Sequence, residues 1–523
     1  MFRMPNQVSR STRISVLRYL QIWKIVPAAI VILGLWGCSS EQHAGGSRDS
    51  GSPQFDMAAT KLSVKMFCGD CHAYPQPDTF PKRYWAKEVA AGYQFYHLSG
   101  RNDLSPPKLA DVVKYYEEAA PESLRFSPNQ GTTGNGLVRF DRTDVDLSDD
   151  LLFPTVSFIR HATGQDSKQN ALLFCDMHAG RIVRTQESKL STVVDQVGFP
   201  AHVETCDLDQ DGHQDLLIAD LGSFMPQDHQ LGRVLWAQGS EDGQTHTVRV
   251  LAENLGRVAD VKPIDSDGDG DLDLIVGEFG WRATGRLLLL ENVGEPGEPR
   301  YQQQILDERH GTSHVEVCDL NGDFVNDFVV LISQEFETIV AFINRGDGTF
   351  RKQTLFEADD PSYGSTGIQV VDMDGDSDLD VLYSNGDTLD SGVLKPSHGV
   401  HLLENKGDLQ FVLRRLTELP GAYKALAGDL DGDGDLDVVA CAFLFNPGFD
   451  ASSLVWLEQQ PNKSFVRHNL AGPDRKFCTL ELGDFDGSGT IDIAVGNFDI
   501  QPTSNRAWLS FWWNSGTSDS DSQ

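Results

Sequence analysis

The stretch DSDGDGDLD, from Asp265 to Asp273, and its near copy DLDGDGDLD, from Asp429 to Asp437, decide how this chain is read. Oxygen-bearing side chains recur at every second position, a turn residue sits sixth and a carboxylate closes the ninth. That pattern wraps a loop round a hard cation preferring six to eight oxygen ligands, and Ca²⁺ is the expected ion. Four further copies begin at Asp207 (DLDQDGHQD), Asp319 (DLNGDFVND), Asp372 (DMDGDSDLD) and Asp484 (DFDGSGTID), spaced by about fifty-five residues. An EF-hand requires a bidentate Glu at position twelve, where these loops carry Ile218, Val276, Val330, Tyr383, Ala440 and Val495. The EF-hand reading fails.

After each ninth-position Asp the chain reads as a strand (LLIAD, LIVGE, FVVLI, VLYSN, VVACA, IAVGN). Most copies run on to a second strand such as GRLLLLENVG or GVHLLENKG. A strand-loop-strand unit too small to bury its own face, repeated in register, indicates a closed β-propeller. A loop-free unit over about 150–198, with strands ALLFCDM and GRIVRTQ, brings the blade count to seven. These residues resemble the FG-GAP or VCBS repeats of the integrin-α-type propeller, over approximately 150–516. The resemblance implies an all-β seven-bladed propeller, bounded here at 135–516, holding three to six Ca²⁺. The implied ligands are Asp207, Asp209, Asp211 and Asp215; Asp265, Asp267, Asp269 and Asp273; Asp319, Asn321, Asp323 and Asp327; Asp372, Asp374, Asp376 and Asp380; Asp429, Asp431, Asp433 and Asp437; and Asp484, Asp486, Ser488 and Asp492. The loops at Asp319 and Asp484 depart furthest from the pattern. Phe324 replaces the turn Gly, Asn321 and Ser488 replace carboxylates, and Ser377 takes the Gly place in a third loop.

The formal net charge of -34 argues against nucleic acid as a partner. About a third of the 77 acidic residues are aspartates of the six loops, whose charge bound cations would offset. At the N-terminus, basic residues from Arg3 to Lys24 precede a thirteen-residue apolar run, Ile25 to Gly37. That length suits the core of a signal peptide better than a membrane span. The run ends LWGC, which resembles a bacterial lipobox and implies lipidation at Cys38. Residues 1–37 are thus expected as a lipoprotein-type signal peptide, 38–54 as a flexible Ser/Gly-rich tether and 517–523 as a disordered tail. The chain is expected to be exported, periplasmic or at the cell surface, and anchored to a membrane through lipid.

Export gives meaning to FCGDCH, which sets Cys68, Cys71 and His72 in the C-x-x-C-H arrangement. Two thiols there form thioethers to haem and the adjacent His becomes an iron ligand. Residues 55–126 resemble a class I cytochrome c: a helix-like AATKLSVKMFCGDCH ends at the motif, and LADVVKYYEEAA (Leu109 to Ala120) is a candidate for the crossing C-terminal helix. The resemblance implies a small all-α module with one haem c. It departs from the family in the distal ligand, since no Met occurs between Ala73 and Ala120. His97 is the only His there. It is the candidate sixth ligand, the other reading being a surface His with the iron five-coordinate or bound from elsewhere. Trp85, Tyr93 and Tyr96 are expected as haem-edge packing or hydrogen-bond donors.

Counting back from each calcium loop, offsets -3 and -5 are often polar between apolar neighbours, so period two turns them to one face. His202 and Glu204, and likewise His314 and Glu316, form two His-x-Glu pairs. If these strands are innermost, the pairs line the channel as candidates for binding a metal or substrate, against the plainer reading of a polar pore lining. The cysteines left over, Cys175, Cys206, Cys318, Cys441 and Cys478, are odd in number. At least one is expected to be unpaired, and Cys206 and Cys318 read as small buried residues. Three functions remain open: a haem c electron-transfer protein whose propeller binds a redox partner or substrate; a propeller enzyme, either a dehydrogenase feeding the haem or a polysaccharide-active domain; and a cell-surface adhesion protein.

Overall fold

The structure, a computed structural model, describes residues 56–127, 138–146, 153–162, 171–186, 189–241, 246–295, 297–389, 391–444, 451–473, 476–503 and 506–517. The expected signal peptide, Cys38, the tether and the tail beyond residue 517 lie outside them.

Seven four-stranded antiparallel sheets form the seven blades. Blade 2 shows the plan, with strands Pro200–Cys206, Asp215–Asp220, Gly232–Gln238 and Thr247–Leu255 in sequence order. The second strands are the apolar runs that follow the loops, and in blades 2 to 7 all six residues of each are buried. Both their faces are covered because each blade packs between two others: Leu274, Val276 and Leu288 of blade 3 share one core with Leu217, Ala219 and Trp236 of blade 2. Removing one such side chain, as in Leu288→Ala, costs about 2–5 kcal/mol. The fourth strands face solvent, as Thr247–Leu255 does over most of its length.

First strands of successive blades pack against one another, so they are innermost and surround the axis. Blade 7 closes the ring. Its strands Phe477–Gly483, Asp492–Asn497 and Ala507–Thr517 are completed by Val138–Asp146, which pairs with the last of them through Arg142 opposite Trp512 and Thr143 opposite Phe511. A strand from before blade 1 thus covers the last sheet edge, which left open would be a site for unwanted pairing.

Among the described residues ahead of the propeller stand three α-helices, α1 (Met57–Cys68), α2 (Trp85–Leu98) and α3 (Leu109–Ala119). Asp56 caps α1 by accepting from the Ala58 and Ala59 amides at 2.9 and 3.1 Å. Helical spacing puts Val112, Tyr115 and Tyr116 of α3 on one buried stripe, where Tyr116 stacks on Trp85 at 3.9 Å between ring centres. Among the described residues no helix is long and apolar enough to cross a membrane.

The helices rest on the propeller face opposite the calcium loops. Calcium loops join first to second strands, so second-to-third loops and interblade links emerge on the other side, and these carry every anchoring residue. Asp360, in the link after blade 4, accepts from the Gln76 amide at 2.9 Å and the Thr79 hydroxyl at 2.5 Å. Lys395 lies 4.4 Å above the Phe80 ring and Arg282 lies 3.6 Å above Phe95, while Val393 joins the helical core.

Candidate functional site

Each calcium loop folds by the same local rule. The fourth residue has positive φ (Gln210 59°, Gly268 79°, Gly432 78°), and so has the sixth (Gly212 86°, Gly270 91°, Gly434 95°). Phe324 and Ser377 are held in this left-handed region too, at 66° and 76°, although the sequence offers no glycine there. The turn aims successive side chains inward, and five carboxylate groups gather with their oxygens within 4.8 Å of one another: Asp207/Asp209/Asp215, Asp265/Asp267/Asp269, Asp372/Asp374/Asp376, Asp429/Asp431/Asp433 and Asp484/Asp486/Asp492. Such donor sets fit a hard oxygen-preferring cation. The Asp319 loop forms no such group among the described residues. There the Asn321 amide donates to Asp323 at 2.9 Å, filling an oxygen that a cation would use. Asp211 lies outside the Asp207 group and donates no oxygen to it, accepting the His213 amide at 2.8 Å instead. The Ser488 hydroxyl pairs with that of Thr490 at 2.8 Å.

The ninth-position aspartates act as struts. Asp437 accepts the Leu430 amide at 3.2 Å with one oxygen and the Gln459 amide at 2.8 Å with the other. Asp273, Asp327 and Asp380 repeat the arrangement on Ser266 and Asn292, Leu320 and Asn344, and Met373 and Asn405. Burial pushes the Asp437 carboxyl up to about 7 and those of Asp327 and Asp380 up to about 6.

The channel carries two rings of side chains, supplied by the innermost strands. Phe158, His202, Asp260, His314, Gly367, Lys424 and Thr479 share one level of the ladder register, and Arg160, Glu204, Lys262, Glu316, Gln369, Leu426 and Glu481 share the next. His202 and Glu204 meet at 3.4 Å, and His202 reaches Asp260 at 3.3 Å. Glu204 is held by Lys262 at 2.9 Å and by Arg160. Burial alone would raise the Glu204 carboxyl, but Lys262, His202 and Arg160 hold it well below the usual range. Burial pushes His314 down to about 4 and raises Glu316. His314 touches Ser313 at 3.4 Å, and its electrostatic neighbours are Asp260, Lys424, His202 and Lys262. The two His-x-Glu pairs therefore face one charge network, in which the carboxylate of the first pair is already matched by two cations. Arg160 escapes a count made back from calcium loops because blade 1 has none, and VSFIRH has no apolar-polar alternation to mark it.

At the helices, Cys68 ends α1 half-buried, and burial pushes its thiol up to about 11. Cys71 is exposed and takes a contact from Arg101 at 2.8 Å. The Nδ1 atom of His72 bonds the Ala73 carbonyl at 2.7 Å, which makes Nδ1 the protonated nitrogen and leaves Nε2 with its lone pair. Glu335 of blade 4 lies near: burial would raise its carboxyl, but the 3.0 Å bond to His310 holds it below its usual value. His97 is exposed on the last turn of α2, with its ring 5.8 Å from that of Tyr96. Trp85 donates to the Pro77 carbonyl at 3.0 Å, Tyr93 to Pro107 at 2.6 Å and Tyr96 to Leu104 at 3.2 Å, so all three serve the helical core's own loops. The described cysteines, Cys68, Cys71, Cys175, Cys206, Cys318, Cys441 and Cys478, are all free thiols.

No curated protein matches the chain. Among solved structures it is similar to the N-terminal domain of Nup159, at TM-score 0.41 and 10% identity over 75% of this chain and 98% of that one. A chain of the S. cerevisiae assembly of dbp5 with nup159, gle1, ip6 and adp gives TM-score 0.42 and 10% identity, over 74% and 98%. A chain of the BBS1N complex with ARL6DN gives 0.43 and 10%, over 72% and 97%. The FG-GAP-like repeat family matches residues 196–276 and 319–383, which span the loops at Asp207, Asp265, Asp319 and Asp372. The chain carries a seven-bladed β-propeller with FG-GAP-like repeats at residues 196–276 and 319–383.

Proposed function

We propose that this chain is an exported haem c electron-transfer protein whose calcium-stabilised propeller binds a redox partner or substrate beside the haem module. The observation that carries the reading is the state of the C-x-x-C-H segment. Two free thiols and one imidazole lie on a single turn at the end of α1, and the bond from His72 to the Ala73 carbonyl orients the ring with Nε2 available. A bond from the other ring nitrogen to a carbonyl is what fixes the orientation of a ligating His. Cys68 and Cys71 would hold the porphyrin and His72 the iron, with His97 as the proposed sixth ligand. Haem c held there supplies a one-electron couple.

The chain's own residues keep this module in place. Asp360, Lys395 and Arg282 tie the helices to blades 3 to 5, so a partner bound on that face meets the module in a fixed position. Calcium in the Asp clusters stiffens the opposite face. FG-GAP repeats are typical of extracellular proteins, in keeping with export, and Cys38 is proposed as the lipid anchor. The channel supports binding over catalysis, since a carboxylate matched by Lys262 and Arg160 is a poor general base.

The test is covalent haem. Full-length chain expressed with cytochrome c maturation machinery should show haem staining on a denaturing gel, and Cys68→Ser/Cys71→Ser should abolish it. An unstained wild-type band would refute the haem assignment while leaving the propeller untouched.

A further inference from the structure

The mouth of the channel on the face that carries the helices holds a buried cation with no ion pair among the described residues. Arg257 stands one residue before the innermost strand of blade 3 (Val258–Ile264) and is only 7% exposed. Its guanidinium forms no hydrogen bond or ion pair with any described residue, and its Nε is buried without a partner. Three other arginines of the propeller contrast with it: Arg181, Arg233 and Arg286 each hold a buried carboxylate, Asp176, Asp220 and Glu278. Burying an unpaired charge costs several kcal/mol, and such a group in a folded protein calls for a partner.

Aromatic rings surround the place. Arg257 lies 5.5 Å from the Phe279 ring centre. Phe224, after the second strand of blade 2, stacks on Phe498, after the second strand of blade 7, at 6.1 Å and 8° between planes. Phe498 in turn meets Phe443 of blade 6 at 6.2 Å, and Phe443 meets Tyr423 at 6.1 Å. Blades 2 and 7 flank blade 1, so Phe224 and Phe498 meet on the face where the second strands end, with His178 of blade 1 also against Phe224. Arg257 immediately precedes the innermost strand of blade 3 and Tyr423 lies at the start of that of blade 6 (Ala422–Gly428), so both stand at the same end of the channel. Phe224, Phe279 and Phe498 are each only partly buried.

We propose that this mouth is a binding site for a small monocarboxylate with a flat apolar body, its carboxylate on Arg257 and its body against Phe224, Phe279 and Phe498. A planar guanidinium matches a carboxylate with two parallel donors. A single cation in a protein of net charge -34 favours one negative charge over the two of a phosphate. The rings supply the apolar wall that ligand sites generally present around a few placed polar groups. The site is independent of the haem assignment, because nothing in it touches Cys68, Cys71 or His72.

The experiment is calorimetric titration of the calcium-loaded full chain with benzoate, benzylamine and inorganic phosphate. Saturable binding of benzoate at one per chain is expected, with neither benzylamine nor phosphate competing. Arg257→Met should weaken benzoate by about 10- to 150-fold, the range of a lost hydrogen-bonded charge. Phe224→Ala, which keeps the charge, should weaken it by roughly 3- to 10-fold. It also decides the matter should Arg257→Met not fold. No saturable benzoate binding, equal competition by phosphate or benzylamine, or unchanged affinity in Phe224→Ala would each overturn the site.

Discussion

At the scale of single residues, two positions show local chemistry overruled by their surroundings. Phe324 is 97% exposed with φ of 66°, a conformation that L side chains adopt at a cost, because the repeat imposes its loop on a sequence lacking the sixth-position glycine. Phe324→Gly is expected to stabilise the protein by about 1 kcal/mol and to raise the melting temperature. A lower melting temperature for the variant would show that the ring is used. Lys262 presents the opposite case, a cation sunk in the channel beside Glu204. Lys262→Met should leave Glu204 with Arg160 as its remaining salt-bridge cation and destabilise by about 3 kcal/mol, read by denaturant unfolding. A loss below about 0.5 kcal/mol would mean that the pair behaves as a solvated surface pair.

Among the elements, the helical module is the part whose position the sequence does not show. Two of its helices were legible from FCGDCH and from the apolar stripe of Leu109 to Ala120, although α1 stops at Cys68, short of Cys71 and His72, and α2 went unread. Nothing in residues 57–127 announces that Asp360, nearly three hundred positions away, receives the Gln76 amide and the Thr79 hydroxyl. Asp360→Ala removes the acceptor for both and for Ser362 as well. Amide exchange over 76–82 should speed up at least tenfold in that variant, while exchange in the second strands of the blades stays unchanged. Equal exchange in both proteins would show that Lys395 on Phe80 and Arg282 on Phe95 suffice to hold the module. Completion of blade 7 by Val138–Asp146 was equally hidden: only Val138 of that strand is buried, so no apolar alternation marks it.

For the whole molecule, calcium and pH should act on neighbouring carboxylates. Asp327, Asp380 and Asp437 have folded-state values near 6 to 7, above the ordinary carboxylate value of 3.8. Raised folded values mean that the native protein holds extra protons between about pH 4 and 7, so without metal stability is greatest at the low end and is lost as pH rises through that window. Melting in excess chelator should therefore fall from pH 5 to pH 7.5. Each occupied calcium site adds about 2.7 kcal/mol at one hundred times its dissociation constant. Because a cation favours the ionised carboxylates, added calcium should flatten or reverse the pH slope. Identical melting curves with calcium and with chelator at pH 7.5 would remove the metal assignment. What the sequence determined by itself was whatever repeats or acts locally: the loop spacing, the strand after each loop, the blade number and the two polar offsets that point into the channel, since period and turn chemistry are written residue by residue. Only the tertiary structure decided which strand closes the ring, where the helices rest, that Arg160 and Lys262 both claim Glu204, and that Arg257 is buried with no ion pair among the described residues. These depend on contacts between residues far apart in the chain, where burial and distance rather than spacing set the energy.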